Sequence, residues 1–230
     1  MYVKSPKERG QAGTCLFSWK RLYLWKKVGE KMYKLCKTEQ SALRQRQIED
    51  ALLSEMTVRR YEDITVSDLC QKLAIPRKAF YRYFNGEEGA LFALLDHRLM
   101  EYGRGGEENR EIRIFHIGLD LEWFFRFWLE QKVLLDALER SGISGILVER
   151  AIRNSQQAQV FETPEEDRAY VSQATAFIVC GLMSMVLQWH HTGSERSVEE
   201  MAALSRSLLG NPLVPELRGQ IDGKEQRNFG

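Results

Sequence analysis

Four side chains that can donate hydrogen bonds or neutralise phosphate fall within six consecutive residues: Arg77, Lys78, Tyr81 and Arg82. On a helix, where successive residues are 100° apart, these four share one arc, whereas Phe80 and Phe84 fall on the opposite side. A helix that enters the major groove of DNA needs one apolar face to hold it and long donors to reach base edges and phosphates. The net charge from Thr65 to Phe84 is +3, which favours a phosphate backbone. Solvated charges on an ordinary surface helix are the alternative interpretation.

The residues before this segment predict the element that positions it. Thr65 can cap a short helix, and Asp68, three residues later, completes a capping box. That helix should end near Ala74, because Pro76 lacks an N–H and disfavours helical backbone in the residue before it. Pro76 suits the start of a second helix, expected over residues 77–83. The pattern therefore predicts two short helices joined by a tight turn.

The spacing of apolar residues is helical almost everywhere, and alternating strand patterns are nearly absent. The sequence therefore predicts an all-α fold: an N-terminal three-helix helix-turn-helix domain, then a helical dimerisation and effector domain. Further helices are expected over residues 39–59, 85–102, 112–129, 132–140, 146–161, 165–191 and 197–210. Ser197 and Glu200 form a second capping box, and Gly103-Arg104-Gly105-Gly106 marks a boundary.

Two segments, Ile64–Leu69 and Ala74–Phe84, resemble the DNA-binding helix-turn-helix of TetR/AcrR-type transcriptional regulators. The resemblance covers about residues 41–102, and beyond them only the general helical plan is similar. It implies a groove-facing set of Arg77, Lys78, Ala79, Tyr81 and Arg82. It implies phosphate contacts from Tyr81, Tyr83 and Thr65, with Arg44 and Arg46 as further backbone candidates.

Two residues depart from the family pattern. Pro76 stands where a Ser or Thr cap is usual, which is compatible with a helix start. Glu87 replaces a lysine that commonly lies near DNA phosphate. A carboxylate there favours the helix dipole but repels phosphate, so it predicts modest affinity or a helix farther from the DNA backbone.

The charge distribution and composition suggest four regions. Residues 1–37 form a basic extension, 38–102 the DNA-binding domain, 107–210 the helical dimerisation and ligand-binding domain, and 211–230 a frayed tail. Residues 1–40 hold eight Lys and two Arg against three Glu, a net charge of +7, whereas the whole chain carries +1 and the remainder therefore −6. A basic end on an acidic body indicates a polyanionic partner for one part of the chain.

The family resemblance also implies a C-terminal domain that dimerises and often holds a small effector. Aromatic and polar side chains that could line such a pocket are His116, Trp123, Phe127, Trp128, Tyr170 and Met183. Large cores are built from the same residue types, and for any single one of these residues a place in the core is the favoured interpretation. The helices expected over 165–191 and 197–209 are the natural dimer pair, because Ala174, Gly181 and Ser184 would permit close helix approach. A dimer would place two recognition helices on an inverted repeat in double-stranded DNA.

Several other classes of protein fit poorly. The glycine-containing motifs lack the spacing and the preceding strand of a nucleophile elbow or phosphate loop, so no catalytic residue or cofactor is expected. His190 and His191 are adjacent and 100° apart on a helix, so no metal site is expected there. Four scattered cysteines and no export signal indicate a reduced, cytoplasmic protein. Residues 169–194 lack Asp, Glu, Lys and Arg and are long enough to span a bilayer, but a helix buried in a core or dimer is the favoured interpretation.

Two alternatives remain open from the sequence. The chain could keep the fold but regulate through a protein partner, with Glu87 a trace of weakened DNA binding. Residues 1–31 could be a basic arm along DNA, or could lie outside the native protein if translation starts at Met32. The codons of Gly29-Glu30 can spell a ribosome-binding sequence, which favours the second interpretation.

Overall fold

The computed structural model describes residues 32–34, 36, 38–105, 112–114, 117–159 and 168–209. The chain divides into two compact units, Met1–Lys31 and Met32–Gly230, and all described residues belong to the second. Its helices are α1 (Glu39–Met56), α2 (Val66–Lys72), α3 (Arg77–Phe80), α4 (Gly86–Gly105), α5 (Leu121–Glu130), α6 (Lys132–Arg140), α7 (Ser144–Gln159), α8 (Arg168–His191) and α9 (Val198–Leu209). The all-α fold class is confirmed.

The first two helices begin where their local sequence predicts. Thr38 caps α1, its hydroxyl accepting from the N–H of Ser41, and α1 buries Ile48, Leu52 and Met56 completely. After a short 3₁₀ turn at Tyr61–Asp63, the predicted capping box starts α2. The N-terminal ends of α1 and α2 thus have partners for an N–H group that would otherwise be unpaired.

A tight turn separates α2 from α3. Ala74 has a φ of 50°, in the left-handed region, and the N–H of Ile75 donates to the carbonyl of Cys70 at 3.0 Å. Pro76 has extended backbone and stands at the N-cap of α3. The regular helix that follows ends at Phe80, so the expected helix over residues 77–83 is shorter than predicted and continues as turns.

One predicted helix is wrong in its first half. Residues 112–119, expected to begin a helix over 112–129, form an antiparallel hairpin of β1 (Ile112–Ile114) and β2 (Ile117–Leu119), and α5 begins only after Asp120. β-branched residues alternate with Arg113 in β1, a pattern with the period of a strand. The boundary expected at residues 103–106 also differs, because α4 continues through Gly105.

The remaining helices pack around one apolar core that also includes the inner faces of α1 to α4. α7 packs along α8, and α5 packs along α9. The predicted Ser197 and Glu200 pair caps α9 reciprocally. Within the described ranges, Ala169–His191 is the one helix long and apolar enough to cross a membrane, which is weak evidence because core helices pass the same test. Its inner face, including Leu182, Met183 and Val186, is buried in the core.

Candidate nucleic-acid interface

Two phenylalanines hold α3 against the preceding helices. Phe80 is completely buried and Phe84 is nearly so, with their ring centroids 5.2 Å apart. The core beneath them includes Leu69 of α2 and Leu52 of α1. The orientation of α3 is therefore set by an apolar wedge, which leaves its other side available for polar chemistry.

The opposite side of α3 carries the predicted donors. Arg77, Lys78, Tyr81 and Arg82 are all exposed, Tyr81 to 54%, and Ala79 between them is half-buried. The guanidinium of Arg77 donates to the hydroxyl of Ser67 on α2, which tethers this side chain across the turn. We call these four exposed side chains the basic face.

A cleft of about 400 Å³ opens beside the basic face, between α1 and the turn after α3. It is lined by Gln40, Ser41, Leu43, Arg44, Gln47, Arg82 and Tyr83. We call it the α1–α3 cleft. Arg44 and Arg82 supply positive charge from its two sides, and both are exposed. An anion in this cleft would meet one guanidinium from α1 and one from the end of residues 77–84, which we call the recognition segment.

Tyr83 lies in this cleft rather than on the basic face. It is only 9% exposed. Its carbonyl accepts from the N–H of Lys34 at 2.9 Å, so residues N-terminal to α1 cover its backbone. The phosphate contact of Tyr83 stays a prediction, and the α1–α3 cleft is where this residue lies.

Two other predicted backbone contacts are engaged within the protein. The guanidinium of Arg46 forms an ion pair with Glu101 on α4, whereas Arg44 faces the cleft. The hydroxyl of Thr65 donates to the carboxylate of Asp68 and accepts from its N–H, at 2.9 and 3.3 Å. Backbone and side-chain hydrogen bonds from Thr65 hold the pKa of Asp68 below its ordinary value, so this cap is ionised at neutral pH. Arg46 and Thr65 thus have structural partners that DNA would have to displace.

Four residues of the cleft were not predicted, namely Gln40, Ser41, Leu43 and Gln47, although the sequence carries a signal for three of them. Gln40, Leu43, Arg44 and Gln47 follow the i, i+3, i+4, i+7 spacing of a single helix face. That face lies beside the buried stripe of α1 that contains Ile48. A stripe of mainly polar residues next to an apolar one indicates an exposed face, and only Arg44 was singled out from it.

The predicted effector-pocket residues differ in their exposure to solvent. His116 lies outside them. Phe127, Trp128 and Met183 are buried in the core, whereas Tyr170 is exposed and the indole N–H of Trp123 donates to the carbonyl of Tyr102. The indole N–H of Trp128 is fully buried with no acceptor among the described residues. The pocket stays a prediction.

A separate cleft of about 260 Å³ lies between α6 and the C-terminal end of α8. His190 and His191 both approach Glu139 there, at 3.7 and 2.5 Å, and His190 also contacts Asp136 at 2.9 Å. The two histidines therefore flank one carboxylate despite being adjacent. Across the described part of the chain, no group of three or more His, Cys, Asp or Glu side chains could hold a metal ion.

Comparison with known proteins finds two solved structures of low similarity. One is the dihydroxyacetone kinase operon activator DhaS, at 16% identity, and the other is the fatty acid degradation regulator FadR from Bacillus halodurans, at 15%. Each likeness has a TM-score of 0.43 and covers 76% of this chain and 96% of the other. No family model and no curated protein matches. The functional argument therefore rests on the residues of this chain.

Proposed function

We propose that this chain is a sequence-specific DNA-binding transcriptional regulator that acts in the cytoplasm as a homodimer on an inverted-repeat site. The observation that carries the proposal is the basic face, exposed on a helix that an apolar wedge fixes in place, with the α1–α3 cleft beside it. Recognition of duplex DNA requires a helix that contacts base edges in the groove and an adjacent site that binds backbone phosphate.

The two parts have different tasks. Arg77 and Arg82 can pair bidentately with guanine, each good contact adding about 1–3 kcal/mol of discrimination. The α1–α3 cleft, where Arg44 and Tyr83 lie, suits a backbone phosphate, which fixes register without reading sequence. Lys78 and Tyr81 extend the same surface.

The dimer is supported by an exposed apolar surface on the last two helices. Phe177 is 69% exposed near the middle of α8. Tyr170, two turns earlier on the same face of the helix, is half exposed. Leu204 and Leu208 on α9 are also exposed. Gly181 and Ser184 are exposed on α8 too, which leaves room for close approach of a second helix. A second copy of this chain would bury this surface.

Control by a small effector is a further part of the proposal. The buried indole N–H of Trp128 supports it, because an unpaired buried donor costs about 1–3 kcal/mol unless an acceptor comes to it. An effector oxygen reaching the core beside Phe127 could supply that acceptor.

The second candidate, a protein of this fold that regulates through a protein partner, is favoured by Glu87 alone. This carboxylate lies in the first turn of α4, where it would repel a nearby phosphate. The exposure of all four donors on the basic face argues for DNA.

The test is binding of a duplex that the wild-type chain selects from a random-sequence pool, followed by fluorescence anisotropy. Arg77→Ala with Arg82→Ala should weaken binding to that duplex by at least about thirtyfold, since two base contacts are lost. Arg126→Ala with Lys132→Ala is the matched control, because it removes two exposed cations from α5 and α6 and should leave binding nearly unchanged. Equal affinity of both double variants, with unchanged circular dichroism, would reject the assignment of α3 as the helix that contacts DNA bases.

A further inference from the structure

The segment before α1 is joined to the end of the recognition segment by backbone hydrogen bonds. The N–H of Lys34 donates to the carbonyl of Tyr83 at 2.9 Å, and the N–H of Asn85 donates to the carbonyl of Met32 at 2.8 Å. We call residues 32–34 the strap. Its two hydrogen bonds hold the turn that connects α3 to α4.

The strap also reaches a buried ion pair in the body of the protein. The hydroxyl of Tyr33 donates to Oδ2 of Asp96 at 2.6 Å. The same carboxylate accepts two hydrogen bonds from the guanidinium of Arg150, and the one from Nε is 2.8 Å long. It also accepts one from the side-chain amide of Asn154. Asp96 is on α4, whereas Arg150 and Asn154 are on α7, so the carboxylate joins three separate parts of the chain.

The ion pair has little freedom to rearrange without affecting Tyr33. Asp96 and Arg150 are 2% and 8% exposed, and the guanidinium also lies 4.8 Å from the ring centroid of Phe92. A buried charge must keep its partners, because an uncompensated one is strongly destabilising. Burial and the hydrogen bond to Asp96 raise the pKa of Tyr33, so its hydroxyl stays protonated and continues to donate.

The strap passes over α4 where there is no room for a side chain. A Cβ placed at Gly89 would collide with the backbone carbonyl oxygen of Met32. The strap therefore lies directly on the helix that also carries Asp96. A displacement of α4 relative to the strap would alter this contact and the two backbone hydrogen bonds together.

We propose that Tyr33 is a positioning residue that transmits the arrangement of the Asp96–Arg150 ion pair to the end of the recognition segment. A shift of α7 relative to α4 would move the carboxylate of Asp96. The strap would move with it through the hydrogen bond from Tyr33, and the turn after α3 would then change its position. This inference rests on the proposed DNA-binding function and names a route by which the body of the protein regulates it. Coupling of this kind is carried by contiguous hydrogen-bonded groups.

The experiment is residue-resolved amide hydrogen exchange of the full chain without DNA. Tyr33→Phe removes the hydroxyl and keeps the ring, and Arg150→Lys keeps the charge but loses the bidentate fork. Both should accelerate exchange of the Asn85 amide by about fivefold or more, because a hydrogen bond to a charged group is lost. Amides of α6 in the same samples should exchange at the wild-type rate.

Tyr102→Phe is the matched control. It removes a tyrosine hydroxyl from α4, the helix that carries Asp96. The ring of Tyr102 contacts Phe124 and Phe127 rather than the strap. Wild-type exchange at Asn85 in this variant is expected. Unchanged exchange at Asn85 in Tyr33→Phe or in Arg150→Lys would overturn the proposal, as would equal acceleration in α6, which would indicate general destabilisation.

A second measurement separates this inference from the proposed function. On the duplex selected by the wild-type chain, Tyr33→Phe should bind about threefold or more weakly and Tyr102→Phe as wild type. Accelerated exchange at Asn85 with wild-type affinity would overturn the regulatory part. A wild-type chain that selects no duplex would reject DNA binding itself, whereas the exchange result would still test the link from Arg150 to the strap.

Discussion

The rings of Phe80 and Tyr81 are 5.7 Å apart at an interplanar angle of 82°, yet they serve opposite sides of α3. Phe80 is completely buried, whereas Tyr81 is more than half exposed. One ring therefore fixes the helix on the protein and its neighbour presents a hydroxyl to solvent. The division between packing and recognition is made within two consecutive residues.

This division gives a pair of alanine substitutions with opposite expected effects. Phe80→Ala should lower the free energy of unfolding by about 3–5 kcal/mol, because a fully buried ring is removed. Tyr81→Ala should change it by no more than about 0.5 kcal/mol and should weaken binding to the selected duplex. Urea unfolding and fluorescence anisotropy measure the two effects. Loss of stability in Tyr81→Ala comparable to that in Phe80→Ala would contradict the division.

Arg44 and Arg46 are two residues apart on α1 but have different surroundings. Arg44→Ala should weaken DNA binding and reduce the salt dependence of log K by about one unit of slope, because the α1–α3 cleft loses a phosphate partner. Arg46→Ala should leave that slope unchanged and lower stability by about 1 kcal/mol or less through loss of the part-exposed pair with Glu101. The measurement is a salt series for each variant, and interchange of the two outcomes would refute the assignment.

Local signals account for what could be predicted from the sequence. The capping boxes at Thr65 and Ser197 and the helix Lys132–Arg140 are each encoded within a few residues, and all three are found. The hairpin at residues 112–119 was missed because strands of three residues give too short an alternation to outweigh a helical pattern nearby.

Long-range contacts account for what could not be predicted. Tyr33 meets Asp96 from 63 residues away, and Arg150 meets it from 54. No periodicity or spacing connects such positions. The contact between the strap and Tyr83 has the same origin, because the strap precedes α1 in the sequence and meets Tyr83 only in the fold. The basic face was accessible to sequence reasoning since α3 positions it locally.

Dimer formation can be tested at the most exposed apolar residue of α8. Phe177→Glu should produce a monomer in sedimentation at micromolar concentration, because a charge would have to be buried at the helix pair. Val133→Glu is the control, since Val133 is also exposed but lies on α6. A wild-type chain that sediments as a monomer would remove the dimer and with it the inverted-repeat argument.

Glu55 gives a prediction on acid stability. A hydrogen bond from Lys72, which joins α2 to α1, is the main influence that lowers the pKa of Glu55, and Arg59 adds to it. A carboxylate with a lowered pKa in the folded state contributes stability above its unfolded pKa and loses it as pH falls through the folded one. Glu55→Gln should therefore be less stable than wild type at pH 7, and the difference should disappear under acid. Urea unfolding from pH 7 to pH 3 measures it, and a difference that is constant over this range would refute the charge-based account.

Removal of residues 1–31 should leave DNA binding intact. That segment carries six Lys and two Arg against two Glu, so the shortened chain would have a net charge of −5. The basic face and the α1–α3 cleft lie wholly in the second unit, as does the strap that begins at Met32. The shortened and full chains should therefore bind the selected duplex with similar affinity and a similar salt slope. If the truncation weakens binding more at low salt than at high salt, residues 1–31 act as a basic arm that contacts phosphate, and the recognition surface extends beyond α1 and α3.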